Sequence, residues 1–543
     1  MIKQLFLRRK WLFMLVVFCG ALYFAYIQAV SLTDPDEVFY SQTAKEMLAG
    51  DSFFTPLMFG APQFEKPPLF YWLLCICFKL FGPTTAAARI PTALFGLLGV
   101  VGTYLFARRI AGNRAGICSG FILATMALYF GLSRAVLTDI VFSVLISFCL
   151  YSFYLWYKYG RGGMLSLFYV FSAMAALTKG LLGSLIPALT ILLFLSTVRD
   201  GRRLRLFLGN FRGWLIFTVL TLPWYVYSWV TYGREFWWEF FVHDHWHRLI
   251  YAEHKSFDRW YFYPMVIILG SMPWTFYFCY VGRAFGRFKK EHIFLFSWIA
   301  AVLLLTVPAH SKLSSYILPM FIPLAVLLGA SFACRGGSGA RREWGAGIGY
   351  IALALTIAIF APPAIKRQFP SFYLTVISVL AIFCLFILLS GVFLILRRDN
   401  YSFVCNVCAI GLFIVVALAV IPRHLDGAFS DDDLPKILQD NPGLSQTILC
   451  NKMYSRGAHF YSGRPVAVID SSSNPFWSKH PIPIFYKDEQ VRAFFAGRHK
   501  VLCVIQQSNL ERLNRLFSGE RDNKIISSHV DRIVVISHAI SPE

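Results

Sequence analysis

Thirteen apolar stretches, each close to the length a helix needs to cross a bilayer, run through the first 421 residues of this chain. Roughly 20 apolar residues at a rise of about 1.5 Å each span the hydrocarbon core. Such stretches lie at about residues 11–31, 84–106, 114–131, 138–157, 164–178, 181–198, 213–231, 261–281, 291–308, 315–334, 344–361, 372–396 and 401–421. A soluble domain has no means of hiding that much apolar surface in a chain that is 57% hydrophobic. The expected fold class is therefore a polytopic α-helical membrane protein with about 13 transmembrane helices. The stretch 11–31 is long for a signal-peptide core and no small-residue cleavage site follows it, so it reads as a retained helix.

The formal net charge of +22 resembles a nucleic-acid signature, but the basic residues sit in short loops between apolar stretches, so no nucleic acid is expected as a partner. They mark topology and contact lipid headgroups instead. Lys3, Arg8, Arg9 and Lys10 precede the first stretch, and every second loop after it is also basic. These loops carry Arg108, Arg109 and Arg114; Lys158 and Arg161; Arg199 to Arg212; Arg283 to Lys290; Arg335 to Arg342; and Arg397 and Arg398. Basic loops stay in the cytoplasm, which places the N-terminus inside and, with an odd number of spans, the tail outside. Lys366 and Arg367 are the exception, a basic pair in a loop assigned to the outer side. The expected location is the bacterial inner membrane, with a periplasmic C-terminal domain.

Residues 422–543 change in composition. Short β-rich runs at Thr447–Cys450, Val466–Ile469 and Val501–Ile505 alternate with helical patterns at Asp488–Ala496 and Asn509–Ser518, the pattern of a small soluble α/β domain. Cys450 and Cys503 each lie inside a strand-like run, which leaves open a disulfide or two buried thiols. Cys405 and Cys408 form a CxxC inside a membrane helix and read as small apolar side chains.

The outer loops are different in kind. Between them they hold Asp34, Asp36, Glu37, Glu65, Asp139, Glu235, Glu239, Asp244, Glu253 and Asp258, and His243, His245, His247, His254 and His310. The two long ones run from about 32 to 83 and from about 231 to 260. Asp34, Asp36 and Glu37 crowd where the chain leaves the membrane, either as a helix cap or as working carboxylates. Glu65 and Lys66 put an acid beside a base before a proline pair and the aromatic-rich segment 69–81, which is short for a span and suits the interface. His243 and His247 share a face of a helix, whereas His243, His245 and His247 share a face of a strand. Either suits zinc, and an interfacial aromatic belt with incidental histidines is the alternative. Asp139, Lys179, Lys312 and Tyr316 stand at the outer ends of separate spans, where a charge needs a partner or water. Acid, base, tyrosine and histidine collected there favour one shared polar cavity.

At this point the chain resembles a known family. Asp36-Glu37 followed by Tyr40, Phe64 to Pro67, Thr178 to Gly180, Asp244-His245 followed by Arg248, and Lys312 followed by Tyr316 to Pro319 occur in this order. They resemble the aminoarabinose transferases of lipid A and the related protein O-mannosyltransferase-like enzymes of the GT-C superfamily. The resemblance implies a GT-C fold and a polyprenyl-phosphate-linked sugar donor. It implies catalytic roles for Asp36, Lys66 and Arg248, and substrate contacts for Glu37, Tyr40, Asp139, Lys179, Lys312 and Tyr316. It also implies a divalent metal, zinc, held by Glu65 and His245. Phe39 and Gln63 depart from the pattern, which has an arginine and a tyrosine there, and both positions bear on the choice of donor.

The implied function is an extracytoplasmic glycosyltransferase that acts on lipid A or a similar envelope acceptor, with 4-amino-4-deoxy-L-arabinose as the leading sugar. Protein O-glycosylation is the alternative within the class. Transport of a lipid-linked sugar is the rival outside it, and the sequence has no symmetric pair of broken spans of the kind transporters use.

Overall fold

The computed structural model describes residues 2–247, 250–251, 257–284, 289–334, 340–368, 373–420, 430–470, 481–529 and 531–540. Among the described residues each apolar stretch contains a helix, including Ile2–Phe24, Thr85–Ala111, Thr138–Tyr159, Gly162–Lys179, Leu182–Thr197, Phe211–Tyr232, Tyr373–Ile395 and Asp399–Val420. Among the described residues seven helices are long and apolar enough to cross a membrane, or eight if one bent pair counts as a single span. The chain is a multi-pass membrane protein. It divides into two compact units, one of Met1–Ile27, Lys66–Phe70 and Arg89–Ile421, the other of Gln28–Glu65, Tyr71–Ala88 and Pro422–Glu543.

In the first unit, two stretches that read as single spans are broken. Asn113–Thr125 and Ala127–Leu132 meet at Met126, whose ψ of 128° is extended. Phe262–Gly270 and the tight helix that starts at Trp274 meet at an angle of 101°. A broken helix strands backbone groups that lipid cannot satisfy. Here each break repairs the other: the Ala127 N–H donates to the Met272 carbonyl at 3.1 Å, and the Trp274 Nε1–H to Thr125 Oγ1 at 2.9 Å. Tyr350, from the Ala340–Gln368 helix, donates its hydroxyl to the Pro273 carbonyl and accepts from Asn406 Nδ2 at 3.1 Å. That 29-residue helix also explains the basic pair at 366–367. Lys366 and Arg367 sit in its last turn, where cations suit the carbonyl end of the dipole.

Loop contacts in this unit fall into two sets. Lys158 pairs with Glu291 at 2.8 Å and Arg114 donates to Asn400 at 2.7 Å. Lys66 pairs with Asp244, Lys179 with Asp139, and Lys312 with Asp258. The first set joins only loops that the basic alternation places inside, and the second joins only loops that it places outside.

The second unit contains the Asp36–Ala49 helix, the hairpin of β1 (Leu57–Met58) and β2 (Ala61–Pro62), and a six-stranded sheet. The sheet strands are β3 (Ile448–Cys450), β4 (Val466–Ile469), β5 (Ile484–Phe485), β6 (Lys500–Ile505), β7 (Arg521–His529) and β8 (Arg532–Ala539). Their order is β5-β4-β3-β6-β8-β7, with β5, β4, β3 and β6 paired in parallel and β8 antiparallel to both of its neighbours, β6 and β7. The chain winds outward from β3 and then returns to add β6 on its other side, so the order reverses between β3 and β6. The runs read as strands and helices in the sequence all take those forms. Leu449 is registered with Cys503 and Cys450 with Val504, so the two thiols point to opposite faces of the sheet and lie in different core layers. Both are free, and no disulfide joins them.

The loop pairing makes a prediction. A reporter that works only in the cytoplasm, inserted at Lys289 and separately at Ser311, should give opposite signals in intact cells. Equal signals would break the sidedness of the two sets.

Candidate functional site

Two buried ion pairs mark the first unit. Lys66 Nζ donates to Asp244 Oδ2 at 2.8 Å, and the two side chains are 10% and 7% exposed. Lys179 Nζ donates to Asp139 Oδ1 at 2.6 Å, at 10% and 8% exposure. The helix ends place the second pair. Asp139 lies in the first turn of Thr138–Tyr159 and Lys179 is the last residue of Gly162–Lys179, so each charge also suits its own helix dipole. Tyr316, in the tight turn Ser314–Ile317, presents its ring 5.0 Å from Lys179 Nζ, and the Phe142 ring lies at 5.7 Å. Asp139, Lys179 and Tyr316, read from three separate motifs, are thus brought together.

Lys312 is buried and pairs with Asp258, whose other oxygen meets His310 Nδ1 at 2.7 Å. Hydrogen bonds from Lys312 and then His310 hold the Asp258 carboxyl below the usual carboxylate range. Asp244 and Asp258 stand among the outer acids in the sequence, but nothing marks them as the partners of Lys66 and Lys312. Lys66 and Asp244 are 178 residues apart, and only the fold joins them.

The segment 237–247 is a helix with a wide, π-type turn, which removes the strand alternative for its histidines. His243 and His247 sit with ring centroids 5.8 Å apart. The His245 side chain and all of Arg248 lie outside the described residues. Among the described residues no three His, Cys, Asp or Glu side chains gather as a metal site.

In the second unit Asp36 is exposed at the start of its helix. Glu37 turns inward and is 4% exposed; its Oε2 accepts from the Thr33 N–H at 3.0 Å and the Thr33 hydroxyl at 2.9 Å. Tyr40 is buried against Tyr71 and Phe39, with ring centroids at 6.0 and 5.2 Å. Glu65 is half-buried, and its N–H donates to Gln63 Oε1 at 3.1 Å. Sequence reasoning missed Glu46, which accepts from the N–H groups of Phe59 and Gly60 at 3.0 and 2.8 Å. Both of those residues have positive φ, as the tight hairpin turn requires, and Glu46 ties that turn to the Asp36 helix.

Against known proteins, residues 65–227 match the family described as dolichyl-phosphate-mannose-protein mannosyltransferase. An uncharacterized protein of Aquifex aeolicus is 30% identical over 56% of this chain and 60% of its own length. The undecaprenyl phosphate-alpha-4-amino-4-deoxy-L-arabinose arabinosyl transferase of Pseudomonas aeruginosa is 29% identical over 60% of each chain. The match thus spans 60% of the length of either curated relative. The crystal structure of ArnT from Cupriavidus metallidurans bound to undecaprenyl phosphate superposes with a TM-score of 0.78 at 21% identity, covering 97% of this chain and 98% of that one. The chain shares the fold of ArnT and is similar in sequence to the aminoarabinosyl transferases, as the motifs led one to expect.

Removing one partner of a buried pair leaves an uncompensated charge, at a cost of about 3–5 kcal/mol. Lys179→Met should therefore destabilise the protein by that order, and Lys179→Met with Asp139→Asn by clearly less. Thermal unfolding in detergent checks this, and additive losses would mean that the two groups do not depend on each other.

Proposed function

We propose that this protein is an extracytoplasmic glycosyltransferase that moves 4-amino-4-deoxy-L-arabinose from a polyprenyl phosphate to a phosphate of lipid A. In this reading thirteen helices cross the bacterial inner membrane, the N-terminus is cytoplasmic, and the catalytic loops and C-terminal domain are periplasmic. The alternation of basic loops supports that orientation, and so does the like-with-like pairing of the loops. Outside the cytoplasm there are no nucleotide sugars, so an activated sugar has to arrive on a lipid.

The observation that carries the reading is the buried Lys66–Asp244 pair in a fold shared with ArnT. In the transfer, an acceptor oxygen bonds to the sugar's C1 as the C1–O bond to the polyprenyl phosphate breaks, and the phosphate leaves with the bonding pair. Charge then grows on the phosphate. A fixed ammonium in a site poor in water stabilises it there far more than it would in bulk solution. Asp244 holds Lys66 in place for that task, with Arg248 as the second cation. Asp139, Lys179, Lys312 and Tyr316 are substrate contacts in this reading, and so are Glu37 and Tyr40. Asp36 deprotonates a hydroxyl acceptor. For an acceptor that is already an ionised phosphate it positions the acceptor or the sugar's amine instead.

Glu65 and His245 would hold a divalent metal. A carboxylate and an imidazole are donors that suit zinc, which would add positive charge beside the donor phosphate. The match to the mannosyltransferase family over residues 65–227 supports a second reading, transfer to a protein hydroxyl by the same donor chemistry.

Lipid A from cells with and without the protein, compared by mass spectrometry, tests the main reading. The expected result is loss of the aminoarabinose mass increment, and unchanged lipid A with altered glycoproteins would select the second reading. Asp36→Asn should insert normally and lose about 100-fold or more in turnover; turnover near wild type would remove Asp36 from the mechanism. Glu65→Ala and His245→Ala should each weaken zinc binding measured by calorimetry on the purified enzyme. Wild-type affinity in both would make the two residues substrate contacts or structural ones.

A further inference from the structure

The first outer loop and the C-terminal sheet meet along a single helix. Ser455–Ser462 follows β3 at the reversal point of the sheet, and residues 32–46 lie along it. The Leu32 N–H donates to the Tyr461 hydroxyl at 2.8 Å. Arg456 lies on the Phe39 ring, 4.6 Å from its centroid. Lys45 Nζ donates to the Phe460 carbonyl at 2.8 Å, and Glu46 faces His459 Nε2 at 3.6 Å. Arg456, His459 and Phe460 are spaced i, i+3, i+4, so one face of this helix receives one face of the Asp36 helix.

The first turn of this helix holds a further contact, to its backbone. The Gly457 N–H donates to Asp34 Oδ1 at 3.0 Å. A Cβ on Gly457 would stand 2.0 Å from Asp34 Oδ2 and 2.7 Å from Asp431 Oδ2, so only glycine admits the carboxylates here. Asp431 is itself fully buried and receives Arg532 Nε at 2.7 Å, while Arg532 also pairs with Asp433. In doubly wound sheets, anionic ligands sit beyond the carboxyl ends of the strands, at a helix N-terminus near the reversal point. In this protein that place is taken by a carboxylate of its own first loop.

We propose that Asp34 is a positioning residue, and that the C-terminal sheet domain is a clamp that fixes the helix presenting Asp36. This rests on the reading of Asp36 as a catalytic carboxylate. Asp34 and Asp36 are separated by Pro35 alone, so a carboxylate seated against Gly457 sets where the helix begins. Arg456, Lys45 and Glu46 then set how it lies. The clamp raises turnover by orienting Asp36 and leaves donor affinity largely untouched, because orientation acts on the reacting geometry.

The test uses the full-length enzyme. Asp34→Ala removes the anchor without creating an overlap, and Gly457→Ala displaces the anchoring carboxylate while the sequence keeps Asp34. Each should lower kcat by about 100-fold, the scale of a misplacement of about 1 Å, with the donor KM within about threefold. Asp34→Asn keeps an oxygen for the Gly457 N–H and should restore at least half of wild-type kcat. The double variant Asp34→Ala with Gly457→Ala should be no worse than either single one, because both break the same contact. Hydrogen exchange supplies a readout that needs no activity. Amides of Asp36–Ala49 should exchange at least about tenfold faster in both single variants, while those of β3, β6 and β8 keep wild-type rates. Unchanged exchange in a folded Asp34→Ala protein overturns the clamp, and so does wild-type kcat despite faster exchange. If the wild-type protein transfers no sugar from a polyprenyl phosphate, the proposed function falls, and the exchange rates alone still decide whether Asp34 anchors the helix.

Discussion

A charge carried to the depth of a bilayer must bring its partner with it, and the membrane unit is arranged around that requirement. Moving a lone ammonium or carboxylate out of water costs several kcal/mol even after relaxation. Lys179 and Asp139 meet the requirement from two helix ends, each charge lying at the pole of the dipole that favours it. Lys66 and Asp244 meet it from two loops. Such pairs add little net stability compared with apolar side chains of the same size. Their effect is that an ammonium group is held in a fixed place.

The same requirement governs the backbone. The two broken spans are tolerated because Ala127, Met272, Thr125 and Trp274 satisfy each other across the gap, and Tyr350 takes up the Pro273 carbonyl. Tyr350 belongs to the Ala340–Gln368 helix, and its partner Asn406 belongs to Asp399–Val420. Both partners come from the last three helices, so those helices repair a defect in the core of the unit as well as adding apolar mass.

Apolar run length was enough to find the helices, because in lipid there is almost no other way to satisfy a backbone. It was not enough to find the breaks. Residues 261–281 carry no charge, and the backbone at the 101° bend finds its partners far away in sequence. The site was legible in the same uneven way. Asp139, Lys179 and Tyr316 stood out because a charge at the outer end of an apolar run needs a partner or water, and the fold brings them within one cluster. Asp258 did not stand out, and Asp244 did so only as part of a motif and not as a partner of Lys66, since one acid among ten gains that meaning only from the lysine that meets it. The two cysteines of the tail were ambiguous because a strand's face depends on register, and register is not written in two isolated runs.

The junction of the first loop with the sheet domain shows why a buried acid can be kept where an apolar residue would fit. Burial first, and then the neighbouring Asp431, push the Asp34 carboxyl well above the usual carboxylate range, while Arg456 and Arg532 pull it back. Burial likewise pushes Asp431 up to about 6 against the pull of Arg532. A carboxyl whose folded pKa is raised binds its proton more tightly in the docked form. Its contribution to docking is therefore fully present below the unfolded value near 4 and declines as pH rises through the folded value. For Asp431 that decline falls between about 4 and about 6. Two facing carboxyls beside Gly457 hold best when they share a proton. An apolar side chain at position 34 would pack at any pH, but it would give the Gly457 N–H no acceptor. A carboxyl there makes the seat specific, because it fits against a glycine and accepts that hydrogen bond.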